Sequence, residues 1–227
     1  MLIAQLDEDS KRVSVVASMF KSLFPKDVSF CAVSSEAVGN VFSTLDTEEQ
    51  TLLSESATAA RREEFALGRF AAKCAMEDLN PKSSFPVLKG ERREPLWPDG
   101  LVGSIGHSPP WAVAAVALKH DYESLGVDVE NTTRKISDKT FARIASNKEA
   151  AKLESNKGRM SLFSAKESVF KALYPIVKKE IGFLTACLFW NAENSLFEGE
   201  ALGYKFIVPT SFTEDYVLTA TWIKKEK

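Results

Sequence analysis

Four residues in this sequence have the types and spacing to do chemistry: Asp128, Glu130, Glu167 and Lys171. Asp128 and Glu130 fall in the run Gly126-Val127-Asp128-Val129-Glu130, which reads as a buried strand. Two residues apart on a strand, their side chains point to the same face. Two acids on an apolar strand repel each other and lose hydration, which is costly unless a cation sits between them. Glu167 and Lys171 fall in Phe163-Ser164-Ala165-Lys166-Glu167-Ser168-Val169-Phe170-Lys171 and, four apart, share one helix face. Ser164 is expected to cap that helix, with Glu167 closing a capping box. A third carboxylate and a cation can then meet the first pair. Asp, Glu and Glu make a hard oxygen set suited to Mg²⁺, which takes a few carboxylates plus substrate phosphates. The competing reading of Glu167 and Lys171 is a surface i,i+4 pair worth ~0.3 kcal/mol.

The elements that must position these residues alternate between helical and strand patterns. Phe30 to Val33 reads as a short strand, and Val13 to Leu23 has some helical period. Thr47 is expected to cap a helix with Gln50 closing its box, and a longer helix is expected from Ala57 to Leu79, stopping at Asn80-Pro81. Trp111 to Leu118 is apolar throughout and reads as a buried strand. Paired with Leu125 to Glu130 through the turn at 119–124, it would form a hairpin, and the join between an N-terminal half (1–118) and a C-terminal half (119–227) is placed there. A helix is expected from Ser137, a second after Asn147 as cap, a break at Asn156-Lys157-Gly158, then the Glu167 helix over Arg159 to Tyr174, stopped by Pro175. Alternating strands follow near Ala186–Trp190, Ser195–Phe197, Tyr204–Val208 and Tyr216–Ile223.

Composition bounds the function. The 227 residues are 44% hydrophobic and 26% charged, ordinary for a globular chain with a real core. A net charge of −2 argues against a general nucleic-acid binder. Three widely spaced cysteines, Cys31, Cys74 and Cys187, give no zinc pattern and fit a reducing cytosol. Met1 to Asp9 carries acids rather than the basic start of a signal peptide. No apolar run approaches the ~20 residues needed to span a bilayer.

Other cations could serve a phosphate ligand. Arg61 and Arg69 are eight apart, near two helical turns, with Phe65 between them. They read either as a solvated pair with Glu63 and Glu64 or as forks for phosphate oxygens. Pro86 to Gly100 is loop-like and contains Lys89, Arg93 and Trp97. His107 stands between Gly106 and Ser108-Pro109-Pro110, in a turn that would present its ring.

Gly-Val-Asp-Val-Glu followed by Phe-Ser-Ala-Lys-Glu-Ser-Val-Phe-Lys resembles the two-part signature of 4′-phosphopantetheinyl transferases. Arg61-Arg62-Glu63-Glu64-Phe65 with Arg69 is similar to that family's CoA-binding helix. Lys89-Gly90, then Glu94-Pro95-Leu96-Trp97-Pro98-Asp99-Gly100, and the Ser104-Ile105-Gly106-His107-Ser108 motif narrow the resemblance to the enterobactin-synthase component type. It covers the chain from about Ala57 onward. Gly106 departs from the family's usual Ser or Thr.

The resemblance implies an α+β fold of two similar subdomains related by a pseudo-two-fold, with CoA in the cleft between them. It implies transfer of the 4′-phosphopantetheine arm of CoA to a serine of an apo carrier protein, releasing 3′,5′-ADP. Mg²⁺ would rest on Asp128, Glu130 and Glu167. Glu167 or a metal-bound water would take the serine proton, and Lys171 would face the pyrophosphate. Arg61, Arg69, Lys89 and His107, with Arg93 as a further candidate, would hold the phosphates and nucleotide. Carrier domains of nonribosomal peptide, polyketide or fatty-acid synthases would be the partners of a cytoplasmic monomer. A Mg²⁺-dependent phosphodiesterase and a non-catalytic carrier-protein or CoA binder stand as alternatives.

Overall fold

The computed structural model describes residues 23–80 and 85–226. The expectations for Met1–Asp9, for the helical period before Leu23 and for Pro81 lie outside these residues. The chain is α+β. Strand β1 (Ser29–Ser34) leads through the short helices α1 (Ser35–Val38) and α2 (Thr47–Gln50) into α3 (Ala59–Leu79). A small hairpin, β2 (Leu88–Lys89) and β3 (Pro95–Leu96), precedes β4 (Leu101–Ser108), β5 (Trp111–Leu118) and β6 (Tyr122–Asn131). Helices α4 (Asp138–Ile144), α5 (Asn147–Ala150) and α6 (Asn156–Val177) follow, then β7 (Ala186–Asn191), β8 (Leu196–Ala201), β9 (Tyr204–Phe212) and β10 (Tyr216–Lys224).

The strands form two larger antiparallel sheets, β1-β5-β4 and β6-β10-β9-β8-β7. Strand β5 is apolar at every position because it is covered on both faces. Val113, Ala115 and Ala117 meet Leu125, Val127, Val129, Leu218 and Ala220 of the second sheet. Ala112, Ala114 and Val116 meet Ala71, Ala72, Ala75 and Met76 of α3. Helix α6 packs Leu162, Ala165, Val169 and Leu173 on Leu188, Phe197 and Val208 of the second sheet. The layers therefore run α3, first sheet, second sheet, α6. Burial of small side chains on both faces explains why the alanine-rich run is a strand although alanine favours helices.

The expected hairpin between β5 and β6 does not form. Both edges of β5 are taken by β1 and β4, so β6 joins the second sheet and pairs with β10 from Tyr216↔Asn131 to Trp222↔Leu125. Helix starts also differ from expectation. Asp46, not Thr47, precedes α2, without a side-chain cap, and the Gln50 amide instead donates to the Leu45 carbonyl at 2.8 Å. Ser146, not Asn147, caps α5, in a capping box with Glu149. Asn156-Lys157-Gly158 does not break the chain. Ser155 accepts the Gly158 N–H at 3.0 Å, so this segment is the first turn of α6. Pro175 lies inside that helix, which ends at a left-handed Lys178 (φ 50°). No described helix is long and apolar enough to cross a membrane.

Candidate active site

The site is built where α6 crosses β6. On β6 the alternate residues Leu125, Val127 and Val129 enter the core, which leaves Gly126, Asp128 and Glu130 on the opposite face. Gly126 lets the helix come close: a Cβ there would overlap the Ser168 carbonyl. That contact fixes Ser164 on one side and Lys171 on the other. Ser164 is mid-helix and is not the expected N-cap, so it forms no capping box with Glu167; its hydroxyl donates to Asp128 Oδ2 at 2.8 Å. Lys171 Nζ donates to Asp128 Oδ1 at 2.7 Å and to the Val127 carbonyl at 3.0 Å. The Val127 N–H donates to Ser104 Oγ of β4 at 3.0 Å. A Cβ at Gly106 would lie 3.1 Å from Asp128 Cα and from the Val127 carbonyl, so glycine is what allows β4 to approach β6 here.

The acids crowd one another. Burial pushes the Glu130 carboxyl up to about 7, with Asp128 and Glu167 adding to the rise while Arg134 and Lys171 oppose it. Burial also raises Glu167, against the pull of Lys171 and with further help from Asp128. Arg134 approaches Glu130 at 3.4 Å. Among the described residues no three acid, histidine or cysteine side chains converge as a ready-made metal cluster. The donor chemistry nonetheless fits a hard cation: these carboxylates disfavour each other's charge, and among the described residues Asp128 has the tight ion pair while Glu130 meets the exposed Arg134.

His107, at the end of β4, faces the same place from the other sheet. Loss of hydration lowers its pKa below the ordinary imidazole value; Lys171 and Arg61 lower it further and Glu64 opposes them. Arg61 lies in the first turn of α3, 3.5 Å from Glu64 and 43% exposed, so its guanidinium is free to meet a ligand. Next to Lys171 opens a cavity of about 1040 Å³. Leu96, Trp97, Ile105, Phe170 and Tyr174 give it apolar walls, and Arg92, Arg93, Lys119, Lys178 and Lys179 bring cations to its rim. Such a space suits a long, partly apolar, anionic ligand. Residues 48–117 match the family model described as 4′-phosphopantetheinyl transferase N-terminal domain, and residues 124–221 match that of the 4′-phosphopantetheinyl transferase superfamily.

This chain belongs to the 4′-phosphopantetheinyl transferase superfamily.

Among its relatives, the 4′-phosphopantetheinyl transferase PptT of Mycobacterium tuberculosis is 29% identical over 82% of each chain. Svp of Streptomyces mobaraensis is 37% identical over 64% of this chain and 61% of its own. Enterobactin synthase component D of Escherichia coli K12 is 30% identical over 70% of this chain and 76% of its own. The activity is transfer of the 4′-phosphopantetheine arm of CoA to a carrier protein.

Within this transferase, Asp128, Glu130, Glu167, Lys171, His107 and Arg61 come together. Of three other cations expected at the ligand, Arg69 and Lys89 are engaged elsewhere and Arg93 lies on the cavity rim. Arg69 is buried, stacks on Phe65 at 4.7 Å, donates to the Leu88 carbonyl at 3.2 Å and lies 3.9 Å from the buried Glu49. Desolvation lowers its pKa to about 10. Lys89 Nζ donates to the Leu52 carbonyl at 2.6 Å. Arg93 sits at positive φ (71°) in the turn between β2 and β3, on the cavity rim.

Several supporting residues escaped sequence reasoning. Lys166 is fully buried, pairs with Glu149 at 2.8 Å and donates to the Ile144 and Phe183 carbonyls at 2.8 and 3.0 Å. It ties α6 to α4 and α5 one residue before Glu167. Ser104 and Thr219 act likewise through partners distant in sequence, which no local pattern reports.

Proposed function

We propose that the transferase binds CoA with its pyrophosphate at Lys171 and its pantetheine arm in the adjacent cavity, and passes the arm to a serine of an apo carrier protein. The observation that carries this reading is the convergence of Lys171, from the catalytic helix, and His107, from the opposite sheet, beside three crowded carboxylates. Arg61 and His107 would hold phosphates of the nucleotide end. Arg69, which faces Glu49 at 3.9 Å and donates to the Leu88 carbonyl, and Lys89, which donates to the Leu52 carbonyl, would reach the nucleotide only by giving up or sharing those contacts, and Arg93 would contact it from the rim.

Asp128, Glu130 and Glu167 would hold Mg²⁺, which when bound supplies charge neutralisation for the pyrophosphate and the leaving 3′,5′-ADP. Glu167, whose burial makes its carboxylate a better proton acceptor, would take the proton of the carrier serine. The serine Oγ–phosphorus bond forms as the pyrophosphate P–O bond breaks, and 3′,5′-ADP departs. Lys171 would stabilise negative charge on the pyrophosphate as that bond breaks.

We further infer two similar halves, 1–118 and 119–227, related by a pseudo-two-fold, working as a cytoplasmic monomer. Enterobactin synthase component D is named for a siderophore synthase, which supports carriers of siderophore or other secondary-metabolite synthases as partners here. The test is to mix the protein, CoA and Mg²⁺ with a panel of apo carrier proteins and read their masses. A gain of one phosphopantetheine with release of 3′,5′-ADP is expected. No modified carrier across the panel, with CoA bound, would refute the reading.

A further inference from the structure

Behind Asp128 lies a chain of buried hydroxyls. Ser164 Oγ donates to Asp128 Oδ2 at 2.8 Å and stands 2.9 Å from Thr219 Oγ1. Thr219 Oγ1 is 2.7 Å from Ser168 Oγ, which donates to the Thr219 carbonyl at 3.0 Å. Ser164, Ser168 and Thr219 are all 0% exposed, so no solvent can substitute for a missing partner.

The direction of these bonds follows from counting protons. A carboxylate only accepts, and each hydroxyl has one proton to give. Ser164 spends its proton on Asp128 and must accept from Thr219. Thr219 has then spent its own, so the single Ser168 proton, donated to the Thr219 carbonyl, is shared with Thr219 Oγ1 to complete the row. The Ser164 and Thr219 protons point towards Asp128, and each bond polarises the next. Lys171 holds the other carboxylate oxygen at 2.7 Å. Each Asp128 oxygen thus has one lone pair committed to the protein and one left over.

We propose that Ser164 and Thr219 are positioning residues, whose hydroxyl row locks the Asp128 carboxylate in the single orientation that offers its remaining lone pairs to a divalent cation. The inference rests on the metal reading above. It assigns a purpose to a serine and a threonine that touch neither substrate nor cation, and it explains why a polar row sits inside an otherwise apolar helix–sheet contact.

The test is Mn²⁺ binding to the full chain without carrier, followed by electron paramagnetic resonance, with melting temperature and 3′,5′-ADP affinity measured alongside. Partners of metal ligands typically contribute 10–100-fold to affinity. Ser164→Ala is expected to weaken Mn²⁺ binding about tenfold or more. Thr219→Val, which keeps volume, should weaken it less but in the same direction. Thr219→Ser, which keeps the hydroxyl, should restore near-native affinity. 3′,5′-ADP binding measured in the absence of metal should be unchanged in all three. If Ser164→Ala does not fold, the Thr219→Val and Thr219→Ser pair decides the matter. Native Mn²⁺ affinity in the folded hydroxyl-free variants would overturn the proposal alone. Asp128→Asn separates the two levels: if it binds Mn²⁺ as the native chain does, or the native chain binds none, the metal reading falls and the proposal falls with it.

Discussion

Lys171 and Asp128, 43 residues apart, are joined at 2.7 Å while the same ammonium holds the carbonyl of Val127 at 3.0 Å. The helix cation thus grips both a side chain and the backbone of β6. In Lys171→Met the Asp128 carboxylate, 6% exposed, loses its ionic partner among the described residues, beside two other acids. Because the Lys171 side chain is itself 28% exposed, a loss of about 2 kcal/mol in urea unfolding is expected, below the figure for a fully buried pair. Adding Asp128→Asn should return most of that stability. If the double variant is no more stable than the single, the ion pair does not account for the loss.

Glu167 is expected to act on turnover and not on the fold. Ser155 caps α6, so Glu167→Gln leaves helix capping untouched. Single-turnover transfer to a saturating carrier should drop ~10²-fold or more, with melting temperature and CoA affinity nearly native. Transfer at the native rate would remove Glu167 from the chemistry.

Arg61 and Arg69 should separate cleanly. Arg61→Ala should weaken CoA binding by about 1.5–3 kcal/mol, as for a lost charged hydrogen bond, without changing the melting temperature. Arg69→Met should instead destabilise the protein by about 2–3 kcal/mol, since Glu49 would keep the Val87 N–H but lose its nearby cation inside the core. Calorimetry with CoA and denaturant titration of both variants check this. Equal melting temperatures would contradict the division of labour.

His107 sets a pH dependence whose sign follows from its surroundings. In the free protein its pKa lies below the ordinary value, so the ring is neutral at pH 7. A phosphate placed against it favours the protonated form and raises that pKa. Between the two values binding takes up a proton, so affinity rises as pH falls through that window and levels off below the free-protein pKa. The native chain should therefore show more proton uptake on binding CoA near pH 6.5 than His107→Gln, measured by calorimetry in buffers of different ionisation enthalpy. Identical uptake would take His107 away from the phosphates.

Much of the site was legible because its acids and cation lie at short, regular spacings on single elements. Asp128 and Glu130 alternate on one strand face, and Glu167 and Lys171 recur on one helix face. What was not legible depends on partners far along the chain. Ser164 has the local signature of a cap, with Glu167 three residues on, but its hydroxyl is spent on Asp128, 36 residues away. Asn156 to Gly158 has the composition of a break, yet Ser155 turns it into a helix start. The short link between β5 and β6 looks like a hairpin, and only the occupancy of both β5 edges rules that out. Arg69 and Lys89 look like free cations until Glu49 and the Leu52 and Leu88 carbonyls are brought to them.

The pairing of β6 with β10 also sets an order of events during synthesis. Asp128 and Thr219 face each other across that ladder, 91 positions apart, and the hydroxyl row behind Asp128 includes Thr219 itself. A nascent chain that has emerged only as far as β9 can make its first sheet and α3, but β6 still lacks its ladder neighbour β10. Long-range pairings of this kind form slowly because loop closure precedes any gain from contact. A ribosome-stalled chain ending before Tyr216 should therefore leave β6 open to protease while α3 is already protected.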